Sequence, residues 1–188
     1  MFRLLDPRYR FTRSTGERLD VLPSALAWAR ERGLDVARLE LALVALLAEQ
    51  PADVRSAALR RLGFTGEPLT RIGRALDVSR GLIDRLVDTP AGAQRARLLR
   101  ERTDLELTAL WLAGEAAART ALEWWVDRAR GVRPVLRGEE VVELGVRRGP
   151  AVAEVLDRLR DRRLDGGGGD REAEIEYVRH WLEARKEG

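Results

Sequence analysis

A chain of 188 residues with 45% hydrophobic and 35% charged side chains is long and apolar enough to bury a core, which excludes a disordered tail. The absence of cysteine excludes disulfides, thiolate metal sites and a cysteine nucleophile, and fits an intracellular protein. The net charge is only +3, and Lys186 is the sole lysine among the basic residues. Arginines spread over the whole length read as compositional bias more than as a nucleic-acid footprint.

Residues 1–20 have no clear period and no apolar core of the kind a secretory leader needs, so they predict an extended lead-in. "PSALAWARERG" reads as a helix with Pro23 near its first turn and Gly33 as its stop. Asp35 is then expected to cap "VARLELALVALLAEQ", whose apolar residues surround most of the helix and suggest the buried centre of the first half. That run contains Glu40 and is too short to span a bilayer, so no membrane partner and a cytoplasmic location are expected. Pro51 opens "ADVRSAALRRLG", which Gly63 stops. Pro68 opens "LTRIGRAL", Ser79 is expected to cap "RGLIDRLVD", and Thr89-Pro90 to start a helix running into "ARLLRER".

Thr103-Asp104 is a candidate N-cap for "LELTALWLAG", and Gly114 separates it from "EAAARTALEWWVDRARG". The short "GEEVVELG" and the longer "PAVAEVLDRLRDRRL" follow. The glycine run at 166–169 predicts slack, and Asp170 caps "REAEIEYVRHWLEARK". Helices joined by short turns predict an all-α fold of two packed helical sub-bundles, a body-like one over 1–102 and a tail-like one with a Gly-Pro hairpin over 103–188. "LGFTGEP" at 62–68 and "LGVRRGP" at 144–150 read as two similar helix corners, each with a C-terminal glycine, an apolar fold-back and a proline restart.

Few residues invite catalysis. His180 is the only histidine, which offers neither a metal site nor a Ser-His-Asp triad and reads as a surface residue. There is no Asp-x-Asp pair and no glycine-rich nucleotide loop. Glu115, Glu123, Asp127, Asp157 and Asp161 stand at helical spacing near arginines, as solvated ion pairs would. Trp111 reads as core. Trp124 and Trp125 point about 100° apart on one helix, so at most one is expected to be deeply buried. No catalytic and no metal-binding residue is assigned.

The stretch at 133–166 is different. Glu139 and Glu140 suit a helix's first turn, Gly145 ends that helix, and Val146 can fold back onto it. Arg147 and Arg148 are then left at the corner, beside the N-terminus that Gly149-Pro150 opens. Two readings stand: a phosphate site made of arginines and free backbone N–H groups, or a solvated turn.

The order Arg137, Gly138, Glu139, an apolar stretch, then Leu144-Gly145-Val146-x-x-Gly149-Pro150 and an acid-capped last helix resembles the C-terminal part of the tRNA nucleotidyltransferase / poly(A) polymerase family, of the CCA-adding type. The resemblance covers roughly residues 120–185 and is fainter before them. It departs at Ala153, where the family often has Gly, and in lacking the Gly-Ser loop and metal-binding Asp-x-Asp pair of the family's catalytic head.

The resemblance therefore implies a tRNA-binding C-terminal region, a fragment or a stand-alone relative, that holds the RNA backbone and positions its acceptor end. This chain alone is expected to be inactive. Mg and nucleotide triphosphates are expected only with a head domain, which would be a partner in cis or in trans. Arg133, Arg137, Arg147 and Arg148 are the expected phosphate contacts, with Gly145 and Gly149 allowing close backbone approach. The alternative is a helical interaction module that docks a head domain or a second subunit without binding RNA.

Overall fold

The structure, a computed structural model, describes residues 5–167 and 169–185, and of Ser79 and Arg80 the backbone alone. Every regular element among the described residues is helical: α1 (Arg13–Glu31), α2 (Arg38–Leu47), α3 (Ala52–Arg61), α4 (Gly66–Asp88), α5 (Ala93–Leu99), α6 (Asp104–Ala113), α7 (Ala116–Trp124), a π-helical turn (Trp125–Ala129), α8 (Gly138–Glu143), α9 (Pro150–Leu164) and α10 (Arg171–Ala184). None of them is long and apolar enough to cross a membrane.

The chain forms two compact units, one of Met1–Asp88 with Glu101–Glu123 and one of Thr89–Arg100 with Trp124–Gly188. The units interleave along the chain, unlike the single division at 102/103 expected above. The reason is chemical. α6 is buried from Leu105 to Leu112 and takes α1, α2 and α4 as neighbours, so it belongs at the heart of unit 1. α5 turns arginines toward acidic residues of α9 and packs in unit 2.

In unit 1 the first helix begins ten residues before the expected start. Thr12 caps it, accepting the N–H of Thr15 at 3.1 Å, and Pro23 lies in its interior rather than in its first turn. The lead-in before it is docked: the Arg10 N–H donates to Gln50 Oε1 at 3.0 Å, and Gln50 Nε2 donates back to the Arg10 carbonyl at 2.7 Å. Asp35 does not cap α2. Ala37 holds the N-cap position without a side-chain bond, and the Asp35 N–H donates instead to Asp104 Oδ2 at 3.0 Å. The two helices expected on either side of Ser79 are one 23-residue helix, α4; the Ser79 side chain lies outside the described residues.

α6, rather than α2, is the helix buried on all sides. Its N-terminus closes as a capping box, with the Glu106 N–H on Thr103 Oγ1 at 3.3 Å and the Thr103 N–H on Glu106 Oε2 at 2.7 Å. Trp111 stacks on Trp28 with ring centroids 5.6 Å apart. Arg119 and Arg32 cover the outer faces, at 4.3 Å from Trp111 and 5.3 Å from Trp28.

Unit 2 has a small aliphatic core of Leu136, Val141, Val146, Val155, Leu159 and Val178, reinforced by charge. Asp157 and Asp161 do not pair within their own helix, because α5 lies across α9 and brings Arg97 and Arg100 onto them, Asp157 remaining exposed and Asp161 largely covered. Arg97 pairs with Asp161, and Arg100 with Asp157 at 2.8 Å. Asp165 caps α5 by accepting the Ala93 N–H at 2.7 Å. Gly92 must lack a side chain there, since a Cβ would stand 2.3 Å from the Asp165 carboxylate at a φ of +131°.

Candidate nucleic-acid interface

The corner between α8 and α9 follows from its sequence. Gly145 takes a φ of +106°, which lets the Val146 N–H reach back to the Val141 carbonyl at 3.3 Å and the Gly145 N–H to Val142 at 2.9 Å. Val146 is thereby buried in the unit 2 core. The pin forces Arg147 and Arg148 outward. Both are exposed, and neither makes a hydrogen bond or ion pair with any described residue. Gly149, at a φ of +113°, then opens α9 with Pro150 in its first turn, no side-chain cap and no acidic residue in that turn. Two unpaired cations therefore stand beside an uncapped helix N-terminus, a geometry that attracts an anion.

α8 and α9 enclose an open groove of about 460 Å³. Val142, Val152 and Leu156 line it, and Gly138, Glu139, Arg148 and Gly149 bring the start of α8 and the corner to the same hollow. The groove therefore combines an apolar lining with one cation, Arg148, and one carboxylate, Glu139. Ala153 also lines it.

Arg133 and Arg137 lie on the segment that leads into α8, and both are exposed. Arg133 Nη1 donates to the carbonyls of Arg130 and Val132, each at 2.9 Å, which fixes the guanidinium without neutralising it. The Arg137 N–H donates to Glu140 Oε2 at 2.7 Å. With the Arg171 pair at 2.5 Å, that bond holds the Glu140 carboxyl below its ordinary pKa, the Arg137 N–H being the larger cause. The structure thus gathers Arg148, Gly149 and the start of α8 at one groove, with Arg147 and Gly145 in the same turn. Arg133 stands upstream on its own anchored segment.

Glu174 escaped sequence reasoning. Its carboxylate is 2% exposed. It accepts the N–H of Val135 at 2.9 Å, the N–H of Leu136 at 2.9 Å and Arg163 Nη1 at 3.1 Å. It therefore pins the segment between Arg133 and Arg137 to α10. Thirty-nine residues separate it from Val135, so no local spacing reveals it. Among the other expectations, Trp125 is buried and Trp124 half-buried, in keeping with their angular separation. His180 is exposed, with Nδ1 3.0 Å from the Glu176 carbonyl. No cluster of three or more His, Asp or Glu side chains arranged to hold a metal occurs among the described residues.

Neither a protein-family model nor a curated protein matches the sequence. Solved structures do match the fold. A Thermotoga maritima CCA-adding enzyme complexed with tRNA superposes with a TM-score of 0.78 at 17% identity, over 96% of this chain and 44% of that one. A CCA-adding enzyme with ATP gives 0.74 at 16% identity, over 96% and 44%. An apo form gives 0.75 at 17% identity, over 94% and 42%. The chain thus spans less than half the length of the enzymes it matches, and identities this low establish a shared fold.

Proposed function

We propose that this chain, which has the fold of a partial, body-and-tail region of CCA-adding enzymes, binds tRNA through its phosphate backbone and positions the acceptor end for a catalytic domain. The observation that carries the reading is the pair of exposed arginines, Arg147 and Arg148, with no acceptor among the described residues, beside the uncapped N-terminus of α9. In water such a pair costs nothing to leave free. Beside a helix N-terminus the local potential is positive, and a phosphate oxyanion offsets it with charge-assisted hydrogen bonds. The apolar lining of the adjoining groove suits the less polar face of a sugar or base, while the arginines take the backbone. That division gives recognition by shape and phosphate with little base reading. Arg133 and Arg137 extend the cationic surface upstream, and Gly145 and Gly149 keep side chains away from the corner backbone.

The test is tRNA binding by the full chain over a range of salt concentrations. Arg147→Ala/Arg148→Ala is expected to weaken binding and to lower the slope of log K against log salt by roughly 1.5, two contacts' worth. Its melting temperature should stay that of the wild type, since the arginines hold nothing in the fold. No binding by the wild type at low salt, or an unchanged slope in the double variant, would favour the interaction-module alternative. Polymerisation, and the choice among CC, A and CCA addition, would belong to the catalytic domain.

A further inference from the structure

The groove between α8 and α9 carries two opposite charges that do not meet. Arg148 and Glu139 both line it, and Glu139 is the sole carboxylate among its lining residues. Both side chains are exposed. Neither makes a hydrogen bond or ion pair with any described residue. The next acid along the chain behaves differently: Glu140 accepts the Arg137 N–H at 2.7 Å and pairs with Arg171 at 2.5 Å. Glu139 is left to whatever enters the groove.

The backbone under both charges is fixed. The Gly145 turn pins Val146 into the core and so places Arg148 two residues on. Glu174 holds the N–H groups of Val135 and Leu136, the latter three residues before Glu139. Gly138 keeps the hollow open beside Glu139, since a Cβ there would stand 3.5 Å from Val152 and 3.9 Å from Leu156. The result is an open hollow of about 460 Å³ with an aliphatic lining, a free cation and a free carboxylate.

A carboxylate in a hollow that receives a phosphodiester backbone repels it unless the ligand brings a donor. When ionised it can only accept hydrogen bonds. A fitting ligand therefore presents an O–H close to a phosphate, with an apolar face alongside. An RNA duplex does this along its wide, shallow minor groove, which displays 2′-hydroxyls beside the phosphates.

We infer that Glu139 is a specificity-determining residue that accepts a ribose 2′-hydroxyl, while Arg148 takes the adjoining phosphate and Val142, Val152 and Leu156 pack against the sugar. The inference rests on the function proposed above and adds to it how this groove tells RNA from DNA. A DNA backbone has no hydroxyl to give, so Glu139 faces its phosphates unmatched and repels them. The groove is open and Glu139 exposed, so the discrimination is modest, about tenfold.

The experiment measures binding of the full chain to tRNA, and to an RNA duplex and a DNA duplex of one sequence, at fixed salt. Wild type is compared with Glu139→Ala and Glu139→Gln. In Glu139→Ala the ratio of RNA to DNA affinity is expected to fall about tenfold, RNA binding weakening and DNA binding tightening. Glu139→Gln keeps the size and an acceptor but loses the charge, so it should gain DNA affinity with a smaller loss for RNA. A variant that folds incompletely lowers both affinities alike and leaves their ratio unmoved, so the ratio separates recognition from helix stability. An unchanged ratio in both variants, or tighter RNA binding by Glu139→Ala, overturns the inference even where the Arg147→Ala/Arg148→Ala salt slope upholds tRNA binding. Absence of binding by the wild type to either tRNA or the RNA duplex overturns the inference together with the function it rests on.

Discussion

Two corners of this molecule share one backbone device and differ in charge. At 62–68 Gly63 takes a φ of +88° and the Phe64 N–H reaches the Leu59 carbonyl at 3.0 Å; at 144–150 Gly145 takes +106° and Val146 reaches Val141 at 3.3 Å. Each then turns through a second left-handed glycine, Gly66 or Gly149, into a long helix. The helix after the first corner, α4, has Glu67 in its first turn, so its positive end meets a carboxylate from its own chain. The helix after the second, α9, has no acid there and has Arg147 and Arg148 just before it. Backbone geometry thus sets where a corner forms, and the two or three residues inside it decide whether the helix end is satisfied within the chain or left to an external anion.

The largest expected effect separates the corners by what stands behind them. The segment entering α8 depends on Glu174, so Glu174→Ala should destabilise unit 2 by about 3 kcal/mol, because it leaves the Val135 and Leu136 N–H groups unmatched and strips Arg163 of its carboxylate, leaving it the Gly169 carbonyl alone. Hydrogen exchange should accelerate over 133–146 while the amides of 62–68 keep their protection; equal loss at both corners would show that Glu174 is not specific to the second. A smaller change makes the corners more alike. Ala153→Glu places a carboxylate on the fourth residue of α9, further in than Glu67 in α4, and should leave helix stability nearly unchanged, because the favourable dipole interaction has weakened there and Asp157 stands at i+4. The same carboxylate should weaken tRNA binding by repelling phosphate, and tighter binding would contradict the proposed site.

The smallest effect is on acid stability. The folded pKa of Glu140 lies below its ordinary value of 4.5, held down first by the Arg137 N–H and then by Arg171. Its contribution is therefore fully present above about pH 4.5 and is lost as pH falls through the lower folded value. Glu140→Gln should therefore be less stable than the wild type at neutral pH, and the gap should close as pH falls below about 4.5, so that acid unfolding of the variant shows a shallower limb in that range.

Much of the fold was legible locally. Gly33, Gly63 and Gly145 end helices where the pattern places them, and Thr103 and Asp170 cap the helices they precede. Val146 folds back as its position after Gly145 predicts. These signals act within five residues, so sequence spacing carries them. The failures were of two kinds. α1 starts at a threonine-to-threonine box that no apolar period marks, and α4 runs through Ser79 because the apolar stripe of Ile72, Leu76, Leu82 and Leu86, buried in unit 1, outweighs a local capping preference. Asp157 and Asp161 looked like solvated partners of their own helix, and only the crossing of α5 over α9 gives them Arg97 and Arg100.

The candidate site divides along the same line. The residues of the corner are adjacent in the chain, so glycine conformation and the proline restart were enough to leave Arg147 and Arg148 exposed beside a helix N-terminus. Which arginines are neutralised depends on carboxylates far away in sequence: Glu174 for Arg163, Asp157 and Asp161 for Arg100, and none among the described residues for Arg160. Local sequence by itself determined the all-helical class, most helix ends and the shape of the corner, because caps, turns and helical period act over a few residues. Tertiary structure alone decided the interleaving of the two units and the charge state of the surface, because a side chain is neutralised by what packing brings within about 3 Å of it, whatever its distance along the chain.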